Sequence, residues 1–196
     1  GYTSAMSETT PPVHRTGTVA LIGRPNAGKS TLLNRVLGQK LSIVTSKPQT
    51  TRNRIMGIHN APGLQAVLLD TPGLHLANNP INRAMVRCAK DAMEEVDAVC
   101  WLIDAARATA RSRDGRPIVH AGIEAIGEMI EASPAEALTI ALNKVDLVDK
   151  PLLLPIMEVL GLRFPMATIV PISALKGVGV SAIEDTWRVQ LPEGPA

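Results

Sequence analysis

Aromatic side chains are nearly missing from this chain: two Trp, one Tyr and one Phe make up 2% of its 196 residues. Its core must therefore rest on Leu, Ile, Val, Ala and Met. Cysteine is as scarce, with only Cys88 and Cys100. Two cysteines at that separation exclude a disulfide framework and a thiolate metal site, and they read as small buried side chains, one in a helix and one in a strand, in a reducing compartment. Charge of one sign is lacking, since the net charge is +2, which argues against a strong electrostatic partner. No apolar run reaches membrane-spanning length and no signal peptide is visible. His14, His59 and His120 are too scattered to hold a metal. What is present, 45% hydrophobic and 19% charged residues, describes an ordinary globular chain long enough for one domain with a good core.

The informative stretch is Gly23-Arg24-Pro25-Asn26-Ala27-Gly28-Lys29-Ser30. It reads G-x-x-x-x-G-K-S, follows the apolar run Thr18–Ile22, and leads into a helix-compatible run that starts at Thr31. That strand–loop–helix context is what a phosphate-binding loop requires. Glycines let successive backbone N–H groups turn inward as an anion cradle, and the helix N-terminus adds partial positive charge. Lys29 then reaches β- and γ-phosphates, the Ser30 hydroxyl is a ligand for Mg²⁺, and Thr31 opens the helix behind them. The motif by itself says nucleoside triphosphate.

Asn143-Lys144-Val145-Asp146 says which base. Placed at the end of the strand candidate Leu138–Leu142, Asp146 can accept hydrogen bonds from guanine N1–H and N2–H₂. Adenine has neither donor and would leave the carboxylate unpaired, a penalty that supports strong discrimination. The Lys144 stem covers a face of the base, and Asn143 ties this loop to the phosphate loop. In isolation the tetrapeptide could equally hold a helix N-cap at Asp146 or Asp149; downstream of a phosphate loop the base-reading role prevails. Ser173-Ala174-Leu175, after the strand candidate Thr168–Ile172, fits the loop whose Ala174 N–H meets guanine O6. Asp70-Thr71-Pro72-Gly73 closes the run Ala66–Leu69, with Asp70 placed to hold Mg²⁺ through a water and the Gly73 N–H to sense the γ-phosphate. Between the phosphate loop and Asp70 the polar segment Ser46–Arg52 carries Thr50 and Thr51, one of which closes over Mg²⁺. Five elements in this order mark a GTP-binding domain.

Along the chain, strands and helices alternate. Thr16–Ile22, Ile55–His59, Leu64–Asp70, Ala98–Asp104, Leu138–Asn143 and Ile169–Ile172 read as strands, the second and third as a hairpin around Asn60-Ala61-Pro62-Gly63. Lys29–Leu37, Ile81–Glu95, Pro117–Ala132, Leu152–Leu160 (broken at Pro155) and Val180–Gln190 read as helices. The expectation is an α/β P-loop GTPase domain: a mostly parallel six-stranded sheet with one antiparallel strand and helices on both faces, every motif lying at a strand's C-terminal end. Residues 1–15 read as an expression scar (Gly1–Ala5) and a disordered N-terminus, residues 16–192 as the domain, and residues 193–196 as the start of a linker.

With these motifs, the run Leu37-Gly38-Gln39-Lys40-Leu41-Ser42-Ile43 and the string PQTTRNRI make the chain resemble the Era family, bacterial GTPases of ribosome biogenesis. The resemblance spans roughly Thr16 to Pro192. It implies slow, Mg²⁺-dependent hydrolysis of GTP to GDP and phosphate, with Lys29, Thr51, Asp70 and Gly73 as the catalytic set. Ser30, Thr51 (Thr50 as runner-up) and Asp70 would serve the metal. It also implies a role in small ribosomal subunit assembly, 16S ribosomal RNA as partner, a cytoplasmic place with peripheral inner-membrane association, and a monomer. Era proteins bind RNA mostly through a C-terminal KH domain, which is expected to be absent here. In loops of the G-x-P-N-x-G-K-S kind the asparagine can ligate a monovalent cation, so Asn26 is a candidate K⁺ ligand. The position after Gly73, often a water-orienting glutamine, is Leu74, so attack must be organised otherwise. Arg24 and Arg52 are arginine-finger candidates only by proximity in sequence, and His75 a water-positioning base only by its place beside Gly73; surface roles suit all three better. Arg107, Arg111, Arg113 and Arg116 read as a solvated loop, with contact to RNA phosphates as the alternative. Other readings kept open are a GTP-loaded binding module with negligible turnover, and another ribosome-assembly or tRNA-modification GTPase.

Overall fold

A computed structural model describes residues 13–24, 26–38, 54–70 and 93–195. Six strands form one sheet in the order β2-β3-β1-β4-β5-β6: β1 (Arg15–Gly23), β2 (Arg54–Ala61), β3 (Leu64–Asp70), β4 (Ala98–Asp104), β5 (Ala137–Asn143) and β6 (Thr168–Pro171). Among the described strands only the edge pair β2–β3 is antiparallel; β1 runs parallel to β3 and β4, and β5 to β4 and β6. The described helices are α1 (Lys29–Leu37), α2 (Ala105–Arg113), α3 (Ala121–Glu131), α4 (Lys150–Arg163) and α5 (Val180–Gln190). This is the expected P-loop GTPase sheet with its one antiparallel strand.

The central strand β1 shows why both faces are covered. Val19 and Leu21 point to one side and Ala20 and Ile22 to the other, all at most 1% exposed, as the two-residue period of a strand demands. The first pair packs with Leu32 and Val36 of α1 and Ile183 and Trp187 of α5. The second packs with Trp101, Ile126, Ile140 and Leu160 beneath α2, α3 and α4. Parallel register sets the strand ends side by side, with Leu21 opposite both Asp70 and Cys100, and Asp104 opposite Asn143. The ligand loops therefore gather along one edge of the sheet.

Several boundaries differ from expectation. The hairpin turn is only Pro62-Gly63, because β2 runs on to Ala61 paired with Leu64; Gly63 sits at φ 69, where a side chain would be strained. The segment expected as an Arg-bearing loop is largely helix. Asp104 caps α2, its Oδ1 accepting the Arg107 backbone N–H at 3.0 Å, and alanine and arginine favour the helix that follows. Helix α3 starts at Ala121 rather than Pro117, because His120 Nδ1 faces the Gly122 N–H at 3.1 Å as a cap. Helix α4 runs unbroken through Pro155. One proline removes one backbone bond near the first turns, and buried Ile156 and Leu160 anchor the helix past it. The expected helix Ile81–Glu95 and Cys88 lie outside the described residues, except that residues 93–95 form a turn. Cys100 is fully buried, and burial pushes its thiol up to about 12, so it remains a protonated, inert packing group.

Candidate functional site

The loop between β1 and α1 is folded by its own backbone. The Ala27 N–H closes onto the Arg24 carbonyl at 3.1 Å, and Asn26 (φ 69) and Gly28 (φ 102) take left-handed conformations. Among the described residues no side chain caps the α1 N-terminus, whose first N–H groups point out of the helix. Gly28 has a second reason to be glycine: a Cβ there would overlap the Asn143 amide nitrogen. The loop walls an open cavity of about 430 Å³, lined by Gly23, Arg24, Asn26, Gly28, Lys29, Ser30, Thr31 and Lys144. Ala27 is buried beneath it.

Asn143 fastens this loop to two others. It is 2% exposed; its Nδ2 donates to the Ala27 carbonyl at 2.9 Å, and its Oδ1 accepts the Ala174 N–H at 3.0 Å. The Ala174 N–H expected to meet guanine O6 is thus engaged by Asn143. Ser173 is buried, with its Oγ accepting the Lys176 N–H at 3.1 Å, and Leu175 is 65% exposed. Lys144, itself left-handed at φ 69, donates to the Asn26 carbonyl at 2.6 Å and to Asp104 Oδ2 at 2.9 Å. Its stem therefore lies across the cavity rim. Asp146 sits on a 3₁₀ turn, Val145–Leu147, with its side chain exposed.

Lys29 and Asp70 come together from α1 and β3: Nζ lies 2.8 Å from Oδ1. Pro25, Thr50, Thr51, Thr71, Pro72, Gly73, Leu74 and His75 lie outside the described residues. Two contributors carried no sequence expectation. Asp104 holds Lys144 while capping α2; an Asp at a strand end ahead of an alanine-rich run was its available signal. Arg35 of α1 donates Nε to the Ala174 carbonyl at 3.1 Å and Nη2 to the Leu175 carbonyl at 2.5 Å. Its partners are 139 and 140 residues away, so no local pattern announces it.

Residues 18–144 match the family model described as the 50S ribosome-binding GTPase. Among curated proteins the chain is similar to GTPase Era of Geotalea uraniireducens, 44% identical over 92% of this chain, and to GTPase Era of Staphylococcus haemolyticus, 38% identical over 93%. It spans 57% of the length of each. Among solved structures it resembles a point variant of Aquifex aeolicus Era bound to GDP·AlF₄⁻, with TM-score 0.62 and 35% identity over 92% of this chain and 58% of that one. The G domain of the Thermotoga maritima FeoB iron transporter shares the fold, with TM-score 0.60 and 20% identity, over 88% of this chain and 96% of that one.

Proposed function

The chain belongs to the 50S ribosome-binding GTPase family and carries an Era-type GTP-binding domain, and from that premise we propose that it binds GTP at the loop from Gly23 to Thr31 and hydrolyses it to GDP and phosphate. The observation that carries the reading is the double hydrogen bond of Asn143, which holds the phosphate loop and the Ser173-Ala174-Leu175 loop in one rigid piece.

The N–H groups at the start of α1, with the Lys29 ammonium, are donors of the kind that phosphate oxygens take. Ser30 Oγ and the Asp70 carboxylate are hard oxygen donors of the kind Mg²⁺ takes. When bound, that ion supplies positive charge against the phosphates. The exposed Asp146 carboxylate is free to accept from guanine, and the Lys144 stem covers a face of the base. Thr51, Thr71, Pro72 and Gly73 complete the set by sequence. The Asn26 side-chain amide makes no hydrogen bond among the described residues, which leaves it available to a K⁺ ion beside the phosphates. Residues 16–192 act as the GTP-binding unit. The switch serves small-subunit assembly on 16S ribosomal RNA in the cytoplasm. No described helix is long and apolar enough to cross a membrane.

The test is phosphate release from GTP in K⁺ and in Na⁺, with ATP as control. GTP-specific, Mg²⁺-dependent turnover is expected, faster in K⁺, with the K⁺ effect lost in Asn26→Ala. Equal use of ATP would overturn the base assignment. Equal rates in the two salts would remove the K⁺ role, and tight GTP binding without turnover would leave only a switch module.

A further inference from the structure

A second cavity, of about 290 Å³, opens between the phosphate loop, α2 and the start of α3. Its floor is apolar, from Trp101, Ala108, Ile118 and Ile123, and Arg24, Arg107, Arg111 and Arg116 line it. Read as sequence Arg107, Arg111 and Arg116 belong to a loop fanning into solvent. In the fold they converge. Among the described residues none of the four guanidiniums has a carboxylate within ion-pair distance. Asp104, which also lines the cavity, is occupied by Lys144 and by the Arg107 backbone N–H.

Acceptors are short here in a second way. Arg111 Nε finds only the Pro117 carbonyl, at 2.9 Å. Arg24 Nη1 meets His120 Nε2 at 3.1 Å, while His120 Nδ1 faces the Gly122 N–H at the same distance. A neutral imidazole has one acceptor nitrogen, so it can serve only one of these two donors. Protonation would remove even that acceptor, and His120 is held neutral, its pKa lowered to about 4 by burial and then by the guanidiniums of Arg111, Arg24, Arg107 and Arg116. Partial burial and the charges of Arg116, Arg24 and Arg107 also lower Arg111 from the ordinary arginine value. Four guanidiniums thus share one cavity with two carboxylates, Asp104 and Asp114, and neither carboxylate forms an ion pair with them among the described residues.

We propose that this cavity is a binding site for a small molecule bearing two or more phosphate charges, distinct from the nucleotide loop but sharing Arg24 with it. Guanidiniums in a concave setting suit multivalent phosphate oxygens through charge-assisted, bidentate hydrogen bonds. The apolar floor takes the ligand's uncharged body, and a concave volume of about 290 Å³ suits a small ligand. Because Arg24 also walls the nucleotide cavity, occupancy of either site changes the charge felt by the other.

The experiment is calorimetric titration of inorganic pyrophosphate into the chain, saturated with GDP in magnesium-free buffer at constant ionic strength. GDP binding is measured first, so failure of the nucleotide reading shows there and not here. One saturable site is expected, roughly tenfold or more weaker in Arg107→Ala/Arg116→Ala and unchanged in Arg188→Ala on α5. Both cavity positions are exposed, and an unchanged melting temperature verifies the fold. The comparison of variants reads the cavity whether or not GDP loads. Absence of saturable binding, or equal affinity in the double variant, overturns the proposal. Displacement of pyrophosphate by a short RNA at lower phosphate concentration would overturn it in favour of a polynucleotide backbone.

Discussion

Lys29 and Asp70 form an ion pair of 2.8 Å between the first residue of α1 and the last of β3, with side chains only 17% and 13% exposed. The ammonium assigned to phosphate oxygens and the carboxylate assigned to the metal thus neutralise each other. A bound nucleotide and its ion have to take over both halves of this pair, and each half has a separable readout.

Asp70→Asn removes the metal-directed charge and reduces the ion pair with Lys29 to a neutral hydrogen bond. The affinity for GTP with Mg²⁺ should fall by roughly tenfold or more, while the affinity for GDP without Mg²⁺ changes little. Nucleotide titrations with and without the metal check this. Equal losses in both conditions would mean that Asp70 acts only by positioning Lys29.

Asn143→Ala leaves the Ala27 carbonyl and the Ala174 N–H without a partner in a buried place. Each lost partner costs on the order of 1–3 kcal/mol, so thermal unfolding should show a midpoint several degrees lower. GDP affinity should fall in parallel, since both loops lose their tether. An unchanged melting temperature would contradict this account of the site.

Arg35→Ala tests the brace from α1 to the base-reading loop. Arg35 is exposed and acts through the Ala174 and Leu175 carbonyls, so it is a positioning residue. KM for GTP should rise about fivefold to twentyfold with kcat nearly constant, the pattern of lost ground-state binding. Arg35→Lys should restore little, because an ammonium lacks the planar fork that spans two carbonyls. A drop in kcat alone would place Arg35 elsewhere in the cycle.

His120 ties stability to acid. Its folded pKa is lowered to about 4, first by burial and then by the four surrounding arginines, whereas an unfolded histidine titrates near ~6.5. Between these values the unfolded chain binds a proton that the folded chain does not. Stability is therefore unaffected above about pH 6.5 and falls as pH drops from there towards 4. His120→Asn keeps a capping acceptor for the Gly122 N–H and removes the titration. Urea denaturation at pH 7 and pH 5 should show a smaller difference in the variant than in the parent chain, and equal differences would refute the assignment.

Much of the site is written in contiguous residues because its geometry is local. Gly28 and Asn26 set the phosphate loop through their own backbone angles, and Lys144 turns the base-reading loop in the same way. The sheet was equally readable: apolar runs closed by Asp70, Asp104 and Asn143 are strands that end at the ligand edge. Helix α2 was not. Its arginines masked a helix, and the alanines between them, with Asp104 as cap, were the overlooked signal. Pro155 misled in the opposite sense, since one missing N–H does not stop a helix anchored by buried side chains on its far side.

The order of the motifs, the α/β class and the expectation of a guanine nucleotide follow from sequence alone, because each depends on residues within a few positions of one another. What those motifs touch is settled only in three dimensions. The Lys29–Asp70, Lys144–Asp104, Asn143–Ala27 and Arg35–Ala174 contacts join residues 41, 40, 116 and 139 positions apart. They form because parallel register brings the ends of β1, β3, β4 and β5 into one line. The same alignment sets Arg24 of the phosphate loop against the arginines that follow β4, a cluster of charge that no stretch of the chain contains in one place.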